Sequence, residues 1–198
     1  MKTFFRLSLL LVFPAFLFLP GCVPVVNNVH SAAEVVGQKI VAGRLVFYEN
    51  DEVTDKTIQV YFTREGAAQD LGGCRRLLPD QDGYFYVALP AGQYNVSHIF
   101  YSSLHGSYVF DLCLDPSLMP QLVVRPEDAV VNFGTLEIRF SQASRDKYSQ
   151  IFVGVGGAAI KVIARPDQEE TRKRLTELVG SFAGPITDRA VQFSKKSP

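Results

Sequence analysis

The chain has 198 residues, 20 basic against 20 acidic, with 47% apolar side chains and no tryptophan. So even a balance excludes the basic footprint of a nucleic-acid binder and gives no electrostatic pull toward anionic headgroups. The length fits one domain, or one domain with a small appendage.

At the N-terminus, Lys2 and Arg6 precede an apolar stretch from Leu7 to Leu19 that is interrupted by Ser8 and Pro14 and closes in Leu19-Pro20-Gly21-Cys22. A basic start, an apolar run of about a dozen residues and a small residue before the cut make a secretory signal. A membrane span would need about 20 apolar residues, and Pro14 and Pro20 would break it. The run Leu19-Pro20-Gly21-Cys22 resembles the lipobox of bacterial lipoproteins: aliphatic, variable, small, Cys. Pro20 stands where Ala, Ser or Thr is usual. The resemblance implies that residues 1–21 are a cleaved signal peptide and that Cys22 becomes the first residue, with a diacylglycerol on its thiol. The anchor is then the membrane partner, since two or three acyl chains at about 0.8 kcal/mol per buried methylene hold a protein stably. Because Val23 rather than Asp follows Cys22, the resemblance favours the periplasmic face of the outer membrane over the inner membrane. The mature chain would carry 18 basic and 20 acidic residues.

Residues 22–38 show no sustained period and read as a lipidated tether, with order expected only near Val35 and Val36. From residue 39 to 141, seven short alternating runs predict a mainly β fold, a seven-stranded antiparallel sandwich. They are Val41 to Tyr48, Thr57 to Thr63, Tyr84 to Leu89, Tyr94 to Tyr101, Ser107 to Leu114, Gln121 to Arg125 and Val130 to Phe140. In the fourth run Tyr94, Val96 and Phe100 align. The last run changes phase at Gly134, as a bulge requires.

Residues 142–198 read as a C-terminal hairpin and one amphipathic helix packed on the sandwich. Ile151 to Val155 and Ala159 to Ile163 flank Gly156-Gly157, a hairpin signal. Asp167 with Glu170 predicts a capping box, and Leu175, Leu178, Val179 and Phe182 predict one apolar stripe ended by Gly184-Pro185.

In the middle of the chain stand Asp82-Gly83-Tyr84-Phe85 and Leu89-Pro90-Ala91-Gly92-Gln93-Tyr94. These resemble the turn signature of transthyretin-like and carboxypeptidase regulatory-like domains, which are seven-stranded sandwiches used more often for binding than for catalysis. The local chemistry agrees: Asp82-Gly83 starts a strand, Pro90 fixes φ, Gly92 relaxes the corner, and Tyr94 enters the core with a hydroxyl in need of a backbone partner.

Cys74 and Cys113 can pair in an oxidising compartment, closing a loop of about 40 residues worth roughly 3 to 4 kcal/mol; two separate buried thiols are the alternative. Neither has a second ligand at zinc-like spacing, so no metal or other cofactor is expected. No nucleophile elbow, zincin motif or Cys–His pair marks an enzyme. His98 reads as a hydrogen-bonded core histidine. Tyr48, Tyr61, Tyr84, Tyr86 and Tyr101 oppose the core side of their strands, and could present an aromatic face unless the helix covers it. The sequence therefore points to a lipid-anchored, non-enzymatic envelope module that binds or scaffolds, with a protein or glycan partner. Two rivals are an envelope hydrolase built on Asp80 and Asp82, and a structural subunit that binds through its C-terminal helix.

Overall fold

The computed structural model of this protein describes residues 24–49, 52–53, 58–67, 74–103, 106–112, 119–140, 154–155 and 160–193. The expected signal peptide, Cys22 and Cys113 lie outside the described residues, and the expected acylation and disulfide lie outside them too. In chain order the strands are β1 (Val25–Val26), β2 (Lys39–Glu49), β3 (Glu52–Val53), β4 (Ile58–Arg64), β5 (Cys74–Leu77), β6 (Tyr84–Leu89), β7 (Gly92–Ser103), β8 (Gly106–Asp111), β9 (Pro120–Val124), β10 (Val130–Phe140), β11 (Gly154–Val155) and β12 (Ile160–Arg165). Helix α1 (Gln168–Val179) follows, then β13 (Ile186–Asp188) and β14 (Gln192–Phe193).

Two sheets face each other. In the first, β1, β5, β4 and β7 lie side by side; β9 takes the far edge of β7 at its start and β8 takes it at its end, extended by β14 and β11. In the second, β2 and β10 run parallel along their whole length, with β6 and β3 flanking β2, and β13 and β12 flanking β10. Alternation explains the core. Val41, Leu45 and Phe47 of β2, Phe85, Val87 and Leu89 of β6, and Leu136 and Ile138 of β10 meet Val60, Phe62, Leu77, Val96 and Leu122 of the first sheet. The fold is thus a mainly β sandwich with one α-helix, as expected from the periodicity.

The sheets are mixed rather than antiparallel throughout, since β1–β5, β2–β10, β8–β11 and β10–β13 run parallel. Among the described residues, the two arms of the expected hairpin about Gly156-Gly157 do not pair with each other. β11 joins β8 in the first sheet, while β12 pairs antiparallel with Thr135–Phe140 of β10 in the second. That edge of β10 offers six backbone residues in register, which a local hairpin would leave unpaired. The described residues 154–155 and 160–193 therefore supply strands to both sheets.

Nor is the segment after Cys22 a free spacer. β1 pairs with β5, and the Pro24 carbonyl accepts the Arg76 N–H at 2.9 Å. The Asn28 side chain accepts the Tyr86 N–H at 2.8 Å, and Val29 is 3% exposed.

Helix α1 covers the outer face of the second sheet, where Leu175 and Val179 meet Ile40, Ala42, Tyr84, Tyr86 and Val130. Burial of each of these two side chains contributes roughly 1.5 to 3 kcal/mol. The start of β2 lies beside the end of β6, and β7 starts at Gly92, so the turns 64–67 and 90–92 and the entry to β2 share one end of the sandwich. Tyr48 and Val53 lie at the other, about 33 Å away along β2.

Candidate functional site

The Asp-Gly turn and the Leu-Pro-Ala-Gly-x-Tyr corner serve the frame. Asp80 Oδ1 accepts the N–H groups of Asp82 (3.0 Å) and Tyr84 (2.8 Å), and Gly83 closes the turn at φ 85°. A Cβ on Gly83 would stand 2.4 Å from the Leu45 carbonyl oxygen, so only glycine fits. Asp82 reaches the other way, to Arg174 of α1 at 3.3 Å. At the corner Leu89 faces the core and Pro90 is exposed. Tyr94, 3% exposed, donates its hydroxyl to the Pro90 carbonyl at 2.7 Å, while Arg64 donates to the Ala91 carbonyl at 2.9 Å. Asp80 is thus spent on backbone and Asp82 on an arginine, and the two carboxylates do not converge on a pocket as a hydrolase would need.

Chemistry gathers instead where β4, β5 and β7 meet. Strand β7 opposes β4 through Val96–Phe62 and His98–Tyr61, which leaves Ser97 as an extra residue. That bulge shifts the phase: Val96 and Ile99 face the core, His98 turns to the outer face, and the expected alignment of Phe100 with Val96 fails. Cys74 Sγ then lies 3.1 Å from Thr63 Oγ1, 3.5 Å from Ser97 Oγ and 3.7 Å from His98 Nδ1. His98 Nδ1 is 3.0 Å from Ser97 Oγ, and Thr63 Oγ1 donates to Ser97 Oγ at 2.7 Å. A thiol, an imidazole and two hydroxyls within hydrogen-bonding reach contain the parts of a nucleophile and its base. Access decides against attack on a substrate, because Cys74 is 1% exposed and Ser97 not at all. His98 is buried and hydrogen-bonded, as its sequence suggested, but on the outer face of its sheet and not in the core, and its pairing with Cys74 across 24 residues was not readable from spacing.

Beside this network a cleft of about 160 Å³ opens among Thr63, Arg64, Glu65, Asn95, Ser97 and Met119. Pockets for drug-sized ligands run roughly 300 to 1,000 Å³, so this one suits waters or a very small polar molecule.

On the second sheet, past the helix, Glu137 is 2% exposed and bonds Arg139 at 2.9 Å and also Arg165. Burial alone would raise its carboxyl, but the two guanidiniums outweigh that and hold it below the usual range. Arg139 stacks over the Tyr48 ring at 4.0 Å. The tyrosines do not form one exposed aromatic face. Tyr84 and Tyr86 lie under α1 and Tyr61 is on the other sheet, while the Tyr101 side chain falls outside the described residues. Among the described residues, no group of three or more His, Cys, Asp or Glu could hold a metal ion.

These features define a β-sandwich whose buried polar groups are mostly paired, with Arg76 Nε, Asn95 Oδ1 and Thr135 Oγ1 left without a hydrogen bond among the described residues. No protein-family model matches the chain. No curated protein matches it in sequence. Among solved structures, catechol 1,2-dioxygenase from Acinetobacter sp. ADP1, inhibited by bound mercury, is 9% identical with a TM-score of 0.24, over 86% of this chain and 58% of that one. Catechol 1,2-dioxygenase from Pseudomonas arvilla C-1 is 10% identical with a TM-score of 0.22, over 80% and 54%. The chain thus spans little more than half the length of either, and likenesses this slight carry no argument about fold or activity.

Proposed function

We propose that this protein is a lipid-anchored cell-envelope protein whose transthyretin-like sandwich works as a non-enzymatic binding or scaffolding module facing the periplasm, anchored at the outer membrane. The observation that carries the reading is Leu19-Pro20-Gly21-Cys22 at the end of a basic-then-apolar leader, downstream of which Pro24 is already hydrogen-bonded to the sandwich at Arg76. Among the described residues, no helix is long and apolar enough to cross a membrane; in this reading the acyl chains supply the attachment. The turn and corner geometry supports the transthyretin-like reading, because Gly83, Pro90 and Tyr94 each fill the role the resemblance assigns. The apolar stripe of α1 is covered by its own sandwich, so the module would offer a partner its loops and strand edges rather than that helix.

Fractionation of cells that express the chain and its Cys22→Ala variant tests the proposal. The native chain is expected in the membrane fraction as a processed form, and the variant as an unprocessed precursor. A variant that is processed and membrane-bound like the native chain would refute it.

A further inference from the structure

We infer that, in the anchored protein, the end of the sandwich carrying the turns 64–67 and 90–92 lies directly against the bilayer surface; this rests on the lipid-anchor reading above. β1 is parallel to β5, so the chain traced backward from Val25 runs past Arg76 toward Arg75 and Cys74, and Cys74 sits opposite Thr63 at that end. Cys22 precedes Pro24 by two residues, a reach of at most about 7 Å. The headgroup layer on each side of a bilayer is roughly 5 to 8 Å deep. An acylated Cys22 hangs from a glycerol at the base of the headgroup layer, so a reach of this size is used up in crossing that layer and leaves little chain to hold the domain away. The hydrogen bonds of Pro24 and Asn28 and the burial of Val29 prevent the start of the chain from peeling off to lengthen the tether.

The surface at this end suits contact with headgroups. Arg64 and Arg75 are exposed and make no ion pair among the described residues, with Glu65 the one acid in the 64–67 turn. Val36, 80% exposed at the entry to β2, adds an apolar side chain at the same end. The even charge of the whole chain conceals this local arrangement.

The absence of tryptophan supplies the test. Full-length acylated protein carrying Ala67→Trp, at the near end, or Val53→Trp, at the far end, is reconstituted into phosphatidylethanolamine–phosphatidylglycerol vesicles containing a headgroup-labelled nitroxide lipid. Ala67→Trp is expected to lose most of its fluorescence and Val53→Trp to keep it. A long Gly-Ser insertion between Val23 and Pro24 is expected to restore the Ala67→Trp signal while the protein still floats with the vesicles. If Ala67→Trp stays as bright as Val53→Trp in protein that floats, the contact is refuted and the anchor stands. Failure of the acylated chain to float overturns the anchor reading and this inference together.

Discussion

Asn132 is wholly buried, yet every one of its polar positions is used. Its amide donates to the Gln168 carbonyl (2.9 Å) and to Asp188 (2.8 Å), while its oxygen accepts from the Gly134 N–H (3.0 Å) and the Thr171 hydroxyl (2.9 Å). It thereby ties the β10 bulge, the start of α1 and β13 to one side chain. Asn132→Ala would strand several buried partners and is expected to cost roughly 3 kcal/mol or more in urea unfolding. Asp128 plays a similar part for the C-terminal segment. It is 3% exposed, pairs with Arg189 at 2.6 Å and accepts the Arg125 N–H at 2.7 Å. Burial pushes its carboxyl up, but these bonds outweigh burial and hold it below the usual range. A depressed carboxyl contributes stability that is complete above its unfolded value, about 4, and is lost as pH falls toward the folded value. Asp128→Asn is therefore expected to lower the urea midpoint near neutral pH and to flatten its fall on acidification below about pH 4.

Helix α1 shows what periodicity can and cannot convey. Leu175 and Val179 face the sheet as their spacing predicts, but the helix ends at Val179 and not at Phe182, and Phe182 packs from the turn that follows. The capping box does not form. Asp167 sits at the N-cap position, and its carboxylate accepts the Thr135 N–H at 2.8 Å, beside Gly134, whose φ is 71°. A backbone donor exposed by the bulge competes successfully for that oxygen. Leu175→Ala is expected to destabilise the fold by about 2 to 4 kcal/mol, and half-buried Leu178→Ala by less than half as much, in the same denaturation assay. The phase change at Gly134 was legible because two apolar half-runs flank a glycine. The bulge at Ser97 was not, since Val96, His98 and Phe100 also fit an unbroken strand. The network of Thr63, Cys74, Ser97 and His98 was hidden for the same reason: it depends on a register set by β4 and β5, not on spacing in the chain.

The molecule as a whole joins the first and last described segments, 24–29 and 160–193, into one sandwich. The residues after Cys22 pair with β5 and β6, and those after Phe140 complete both sheets, so neither end can be removed without exposing sheet edges and core. Deletion of residues 186–193 would remove β13 and β14 and strip Asp128 and Asn132 of partners. The shortened chain is expected to lose cooperative thermal unfolding by circular dichroism. With the body so closed, the account turns on Cys22. Intact-mass and peptide mass spectrometry of the protein extracted from its native membrane tests this most directly. The account predicts an N-terminus at Cys22 that carries a diacylglyceryl thioether, with residues 1–21 absent. A mature chain that retains those residues, or one that begins elsewhere without lipid on Cys22, would contradict it.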